Sequence, residues 1–204
     1  MTKHSRRVMD IRRMNVPFTN EETQSVVAKV LARSQDEALA KSLQFSPTVI
    51  SNIRRLITNG GTIITDTEIL AQSIDASLLE GSPAKMKCFI DDPEVLLRAQ
   101  AKGTTRAEVA LDVGLTQPGN KLFVIGSAPS ALNRLIAHRQ CEPLIDVSLL
   151  CTISGYAAAV QLKERLRESD MAFVVTRGKS GGTQAAQFLF EAILETIREK
   201  QTTL

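Results

Sequence analysis

The segment KLFVIGSAPSAL, residues 121–132, has the pattern of a strand that turns through a glycine directly into a helix. Its first part, KLFVIG (121–126), is a nearly continuous apolar run, which is typical of a strand covered on both faces. The following GSAPSA (126–131) is a glycine turn into a helix whose first amides point outward and can bind an anion. The segment therefore predicts one strand-helix unit of a layered α/β protein.

Further apolar runs of the same kind occur on both sides of this unit. They are TIITD (62–66), MKCFI (86–90), LIDVSLL (144–150) and AFVVTR (172–177). The stretches with helical spacing are 68–79, 93–113 with a break at Gly103, 130–139, 155–168 and 184–200. Strands that alternate with helices predict a doubly wound α/β fold, with a mainly parallel five-stranded sheet and helices on both faces.

The residues before the first predicted strand have a helical pattern instead. TNEE (19–22) has the spacing of a capping box, because a Thr hydroxyl and a Glu three residues later can satisfy each other's backbone donors. Apolar residues then recur at helical spacing as far as Leu43, before Ser46-Pro47 interrupts the run, and a second helix is predicted over 49–58. We expect one domain over 1–204, with a helical N-terminal part (1–60) and a sheet core (61–204).

Composition limits the classes of protein that need to be considered. The chain has 204 residues, 43% of them hydrophobic and 23% charged, as expected for an ordinary globular protein. Its most apolar stretch, 147–162, is interrupted by polar residues and is too short for a spanning helix, so no membrane partner is expected. The basic N-terminal arm is followed by no apolar region typical of a secretory signal. Three widely spaced cysteines argue against disulfides and structural zinc, so the cytoplasm is the expected location.

The loops that follow the predicted strands contain the candidate binding residues. In a parallel sheet the carboxyl ends of the strands share one edge, where ligands bind. Asp66 ends the first strand, and RGKSGGT (177–183) after the last strand combines two cations and three glycines just before a helix N-terminus. This segment is typical of a polyanion site, although a glycine-rich turn with solvated basic side chains has the same pattern. It is no Walker A loop, because Phe173 stands where the first glycine of that motif is required.

Several motifs together resemble one family along nearly the whole chain. They are QFSP (44–47), GGTIITDTEIL (60–70), GTTRA (103–107), GSAPSAL (126–132), SGYAAAVQLK (154–163) and TRGKSGGT (176–183). In order and spacing they resemble the precorrin-8X methylmutase family. The resemblance implies the doubly wound fold, a homodimer and a corrinoid substrate, precorrin-8X or its cobalt form. It also implies isomerase activity in cobalamin biosynthesis, the movement of a methyl group between adjacent ring carbons, with no cofactor and no metal on the protein.

The resemblance also implies a set of substrate-binding residues. The positions that match the family are Ser5, Asp66, Thr104, Arg106, Gly126, Ala128, Arg177, Lys179 and Gly182. The corrinoid has a fringe of carboxylates, which guanidinium, ammonium and helix N-termini would bind. Taken alone, an arginine early in a helix, such as Arg106, is usually a surface residue. Its assignment to the site therefore comes from the resemblance.

The family's proton donor is a histidine, and this chain differs at that position. Counting back from Phe45-Ser46-Pro47 without a gap places Ala32 where the histidine is expected. His138 is predicted to lie too far along its helix from the cleft. His4 adjoins Ser5, and we hypothesise that it replaces the missing donor, since the ordinary pKa of histidine, ~6.5, suits the task.

Three functions follow from these observations. The first is methylmutase activity, reduced or abolished by the loss of the histidine. The second is corrinoid binding by a divergent paralogue without catalysis. The third is binding of nucleic acid or an acidic partner through the arm Lys3 to Arg13. The net charge of +3 is too small to indicate nucleic acid by itself, and we expect no nucleic-acid partner.

Overall fold

A computed structural model describes residues 20–155 and 157–202. Within these residues a six-stranded sheet has the order β1-β6-β5-β4-β2-β3. Strands β2 to β6 run parallel, and β1 pairs antiparallel with β6 at one edge. The strands are β1 (Leu43–Phe45), β2 (Thr62–Thr65), β3 (Lys85–Cys88), β4 (Lys121–Ile125), β5 (Val147–Cys151) and β6 (Ala172–Thr176).

Helices cover both faces of this sheet. They are α1 (Glu21–Ser34), α2 (Glu37–Ser42), α3 (Val49–Asn59), α4 (Glu68–Ser73), α5 (Pro93–Lys102), α6 (Arg106–Leu115), α7 (Pro129–Cys141), α8 (Ala157–Arg167) and α9 (Thr183–Thr202), with a 3-10 turn at Ala76–Leu79. One core joins α1, α2, α3, α4 and α9 to the face of the sheet that contains Ile63 and Val124. A second core joins α6, α7 and α8 to the opposite face, which contains Phe123 and Leu149. The prediction of a mainly parallel sheet with helices on both faces is confirmed.

The number of strands was predicted wrongly. The sheet has six strands rather than five, because β1 forms in the N-terminal part that was predicted to be helical. The expected long helix stops at Ser34, since Gln35 takes a left-handed conformation with φ 54° and Asp36 caps a new helix. The chain then extends at Leu43 to pair with Thr176. Part of the 1–60 segment is therefore sheet.

Some element ends also differ from the predicted ones. The capping box at the start of α1 is formed by Asn20 and Thr23, not by the TNEE pair. The predicted helix over 68–79 ends at Ser73, and the Asp75 side chain caps the separate 3-10 turn. The break predicted at Gly103 is confirmed, because this residue ends α5 with φ 60°. None of these differences moves a strand end in the middle of the sheet.

The strand register places the candidate loops along one edge. Thr65 pairs with Val124, and Ile125 pairs with Cys151, which in turn pairs with Val175. The segments after β2, β4, β5 and β6 therefore begin at nearly the same height. Across residues 20–155 and 157–202, no helix has the length and apolar character needed to cross a membrane.

Candidate functional site

Asp66 is the central residue on one side of the carboxyl edge. It follows β2 directly, is buried, and lies beside the N-terminus of α7 because β2 and β4 are neighbours. Its Oδ2 accepts hydrogen bonds from the backbone amides of Gly126, Ser127 and Ala128 at 3.1, 2.7 and 2.9 Å. The protein's own carboxylate thus occupies the amides that were predicted to bind an anion of the ligand. Asp66, Gly126 and Ala128 do come together, but they bind one another.

The other oxygen of Asp66 has no hydrogen-bond partner among the described residues. This Oδ1 is buried, and Asp66 lines a small cavity between the sheet and helices α6 and α7. The cavity has a volume of about 10 Å³, which is space for about one water molecule. This cavity is too small for a tetrapyrrole.

The N-terminus of α6 carries the next two predicted residues. The Thr104 hydroxyl donates to Glu108 Oε2 at 2.6 Å, and this bond, with those from Thr105, holds the pKa of Glu108 below its usual range. Arg106 pairs with Asp91 at 2.7 Å, and both side chains are at least half exposed. An exposed ion pair is worth at most ~1 kcal/mol. The Arg106 guanidinium is therefore available to exchange its partner for a ligand carboxylate.

The loop after β6 is fixed by its backbone. The Gly182 amide donates to the Thr152 carbonyl at 2.5 Å, and the Thr152 hydroxyl donates back to the Gly182 carbonyl at 3.0 Å. At Gly181, which has φ 142°, a Cβ would stand 1.9 Å from the Thr152 carbonyl oxygen, so only glycine is accommodated. Arg177 and Lys179 lie on this loop with exposed side chains. The predicted cationic segment is thus a tightly anchored turn at the carboxyl edge.

A buried lysine supports this loop from beneath. Lys163 in α8 is fully buried, and its Nζ donates to the Ser180 carbonyl at 3.1 Å and to Thr176 Oγ1 at 3.3 Å. Burial lowers the pKa of Lys163, although Cys151 and Glu164 oppose the shift. Burial likewise raises the pKa of the Cys151 thiol to about 12. Lys163 is not among the predicted site residues, although its spacing from the apolar Ala159 and Leu166 places it on the buried face of α8.

Ala32 lies in the last turn of α1, with its side chain exposed. The adjacent Arg33 points into an ion-pair cluster with Glu191 and Glu195 on α9. Helix α2 and strand β1 follow in the chain. At their junction the Ser42 carbonyl accepts a hydrogen bond of 2.8 Å from the backbone amide of Arg177. The side chain at position 32 is a methyl group, which carries no proton that can be donated near neutral pH.

The remaining predictions concern the N-terminal arm, His138 and a metal site. His4, Ser5 and the basic arm fall outside the described residues. His138 is in the last turn of α7, where its Nε2 lies 2.7 Å from Asp112 Oδ1, so it belongs to a cluster away from the carboxyl edge. In the part of the chain that the structure describes, no three His, Cys, Asp or Glu side chains group as metal ligands.

Comparison with known proteins identifies the family. The family model described as precorrin-8X methylmutase matches residues 2–196. The cobalt-precorrin-8 methylmutase of Salmonella typhimurium is 30% identical over 184 residues, which cover 89% of this chain and 85% of that protein. The solved structure of a precorrin-8X methylmutase from Thermus thermophilus has a TM-score of 0.80 at 23% identity, covering 93% of this chain and 91% of that one. A precorrin-8X methylmutase related protein has a TM-score of 0.82 at 22% identity, covering 91% and 97%.

These matches confirm the resemblance drawn from the sequence motifs. They also confirm its consequence, an isomerase function of the methylmutase type in cobalamin biosynthesis. The match extends over the segments that form the sheet, the anchored glycine loop and the Asp66 cluster. The chain belongs to the precorrin-8X methylmutase family.

Proposed function

We propose that this chain binds precorrin-8X or cobalt-precorrin-8 across the carboxyl edge of the sheet and moves a methyl group between adjacent ring carbons. The observation that supports this binding mode is the closely packed loop after β6, which carries the exposed Arg177 and Lys179. Guanidinium and ammonium groups form charge-assisted hydrogen bonds with carboxylates, and such bonds are about twice as strong as neutral ones. Arg106 would add a third cation by releasing Asp91.

The reaction makes modest demands on the protein. One carbon–carbon bond breaks and another forms within the same molecule, so there is no net oxidation or reduction. The residues of the edge would bind the carboxylates and orient the ring, and a proton donor would promote the migration. A positioned general acid contributes about 10²- to 10⁴-fold to a rate. With alanine at position 32, we expect turnover to fall below that of relatives with histidine there by a factor in this range.

Restoring an acid at position 32 tests this proposal. Ala32→His should raise the rate at which precorrin-8X is converted, measured by the change in its absorption spectrum, by about 100-fold or more. Ala32→Gln is the matched control, because it adds a polar side chain of similar size without an acidic proton. If both variants turn over at the same rate, position 32 is not the place of the proton donor.

His4 remains the proposed substitute donor in the natural chain. A His4→Ala variant should lose the residual turnover while still binding the substrate. Conversion at the wild-type rate by His4→Ala would remove His4 from the mechanism.

A second candidate function is corrinoid binding without catalysis, which the exposed methyl group of Ala32 favours. Such a protein would bind precorrin-8X with a spectral change that saturates at one ligand per site and produces no product. Sustained conversion with excess substrate would exclude this function. Binding of nucleic acid through residues 1–13 would instead fall steeply with salt and disappear when that segment is deleted.

We also propose that the chain forms a homodimer in the cytoplasm. Among the described residues, the cavity at Asp66 is too small for the ring and the cations of the loop after β6 are exposed, so a second copy would cover a corrinoid bound there. Sedimentation equilibrium should give twice the mass of the 22.3 kDa chain. A monomer at micromolar concentration that still binds one corrinoid would contradict this arrangement.

A further inference from the structure

Lys163 places its side-chain amino group in the interior of the protein. Its side chain is fully buried among residues of α8, β5 and β6, and in the described residues no carboxylate lies within ion-pair distance. A buried charge is costly unless hydrogen bonds replace the lost water. Both acceptors of the Lys163 ammonium belong to one short segment, 176–180. Oxygen atoms of the cationic loop therefore replace the water that this group loses on burial.

These two acceptors flank the two exposed cations of the loop in the sequence. Thr176 immediately precedes Arg177, and Ser180 immediately follows Lys179. The Thr176 hydroxyl also donates to the Ser180 carbonyl at 2.8 Å, so the two ends of the turn meet at one point beneath the surface. Lys163 binds both ends of the turn at this point. Its position therefore fixes the curvature of the backbone from which Arg177 and Lys179 project.

We propose that Lys163 is a positioning residue, whose buried ammonium closes the turn 176–180 and thereby holds Arg177 and Lys179 in the arrangement that binds carboxylates of the corrinoid. This inference rests on the proposed function of the carboxyl edge. Lys163 itself does not touch the ligand, because its side chain is covered. Its contribution to affinity passes through the loop.

Lys163→Met separates this role from a general role in stability. Methionine has a similar length, and without the ammonium the Ser180 carbonyl still accepts the hydrogen bond of the Thr176 hydroxyl. We expect a melting temperature close to that of the wild type, with faster amide hydrogen exchange in 177–182. Affinity for cobyrinic acid, a stable corrinoid with free carboxylates, should fall about tenfold at low salt, because the two cations lose their fixed geometry.

Two controls accompany this variant. Lys121→Met removes another lysine that donates to a backbone carbonyl, that of Gly119 at 2.7 Å. Lys121 lies at the start of β4, at the amino ends of the strands, so the affinity for cobyrinic acid should not change. Cobinamide carries amides in place of the carboxylates. Its affinity should be the same for wild type and Lys163→Met.

A double-mutant cycle identifies the route of the effect. In a background that carries Arg177→Gln and Lys179→Gln, adding Lys163→Met should change the affinity for cobyrinic acid less than twofold, because the side chains through which it acts are gone. An equal loss in both backgrounds would overturn the inference, as would unchanged exchange in 177–182. If the folded wild type does not bind cobyrinic acid, the proposed function fails, and hydrogen exchange alone then decides whether Lys163 orders the loop.

Discussion

Replacing Asp66 by alanine should destabilise the protein more than any surface aspartate does. The variant removes the acceptor of three backbone amides at the start of α7, and the amide of Gly126 among them is buried. A buried donor left without a partner costs ~1–3 kcal/mol. Loss of a carboxylate from a partly buried helix N-terminus adds up to ~2 kcal/mol. We therefore expect the free energy of unfolding to fall by about 3 kcal/mol, which for a chain of this length lowers the melting temperature by about 6–12 °C.

Thermal unfolding followed by circular dichroism measures this difference. Asp170→Ala is the matched control, because Asp170 is exposed and pairs with Arg139 on the surface, so its loss should leave the melting temperature nearly unchanged. Sodium formate should raise the melting temperature of Asp66→Ala relative to sodium chloride at the same ionic strength, since formate can occupy the vacated amides. A variant that melts within about 2 °C of wild type would refute the claim that Asp66 satisfies these amides.

Three further variants test other parts of the structure. Gly181→Ala should lower the free energy of unfolding by about 1–3 kcal/mol through backbone strain alone, and it should weaken corrinoid binding. Calorimetry would measure the stability and titration the affinity. If neither changes, the loop is not closely packed at this residue. Burial opposes ionisation of Asp112, but Arg134 and His138 hold the pKa of this carboxyl below the ordinary 3.8. The ionised Asp112 therefore stabilises the fold above pH 3.8, and this stabilisation is lost as the pH falls through the lowered pKa. In acid unfolding, Asp112→Asn should therefore lose less stability than the wild type as the pH falls. Equal losses in the two proteins would disprove this role of Asp112. Phe190→Ala, in the core beneath the sheet, should lower the free energy of unfolding in urea by about 3–5 kcal/mol, and a loss below 1 kcal/mol would show that this core repacks.

The strands of the sheet interior were predictable because each is an apolar run bounded by turns. The edge strand β1 was not predictable, since its three residues continue a helical pattern and extend only because β6 offers an unpaired edge. Pairing of that kind depends on which strands become neighbours in the fold, and local sequence does not specify it.

The position of the candidate site in the fold was predictable from the strand pattern. The residues after parallel strands must share an edge, so Asp66 and the 177–183 loop were placed correctly at that edge. That the Asp66 carboxylate fills the α7 amides follows from the adjacency of β2 and β4, which the order of strands along the chain does not reveal. The support of the loop by Lys163 likewise needs the packing of α8 under β6. The roles of His4 and Ser5 stay predictions.

The two outer strands of the sheet affect how copies of this chain can associate. Exposed strand edges invite intermolecular pairing, and short or lysine-bearing edge strands discourage it. Strand β1 is only three residues long, and β3 exposes Lys85 and Lys87, whose charges would repel one another if two such edges met. Both outer strands thus disfavour pairing with the sheet of another copy, which would lead to open-ended aggregation. Association through helices and loops is favoured instead.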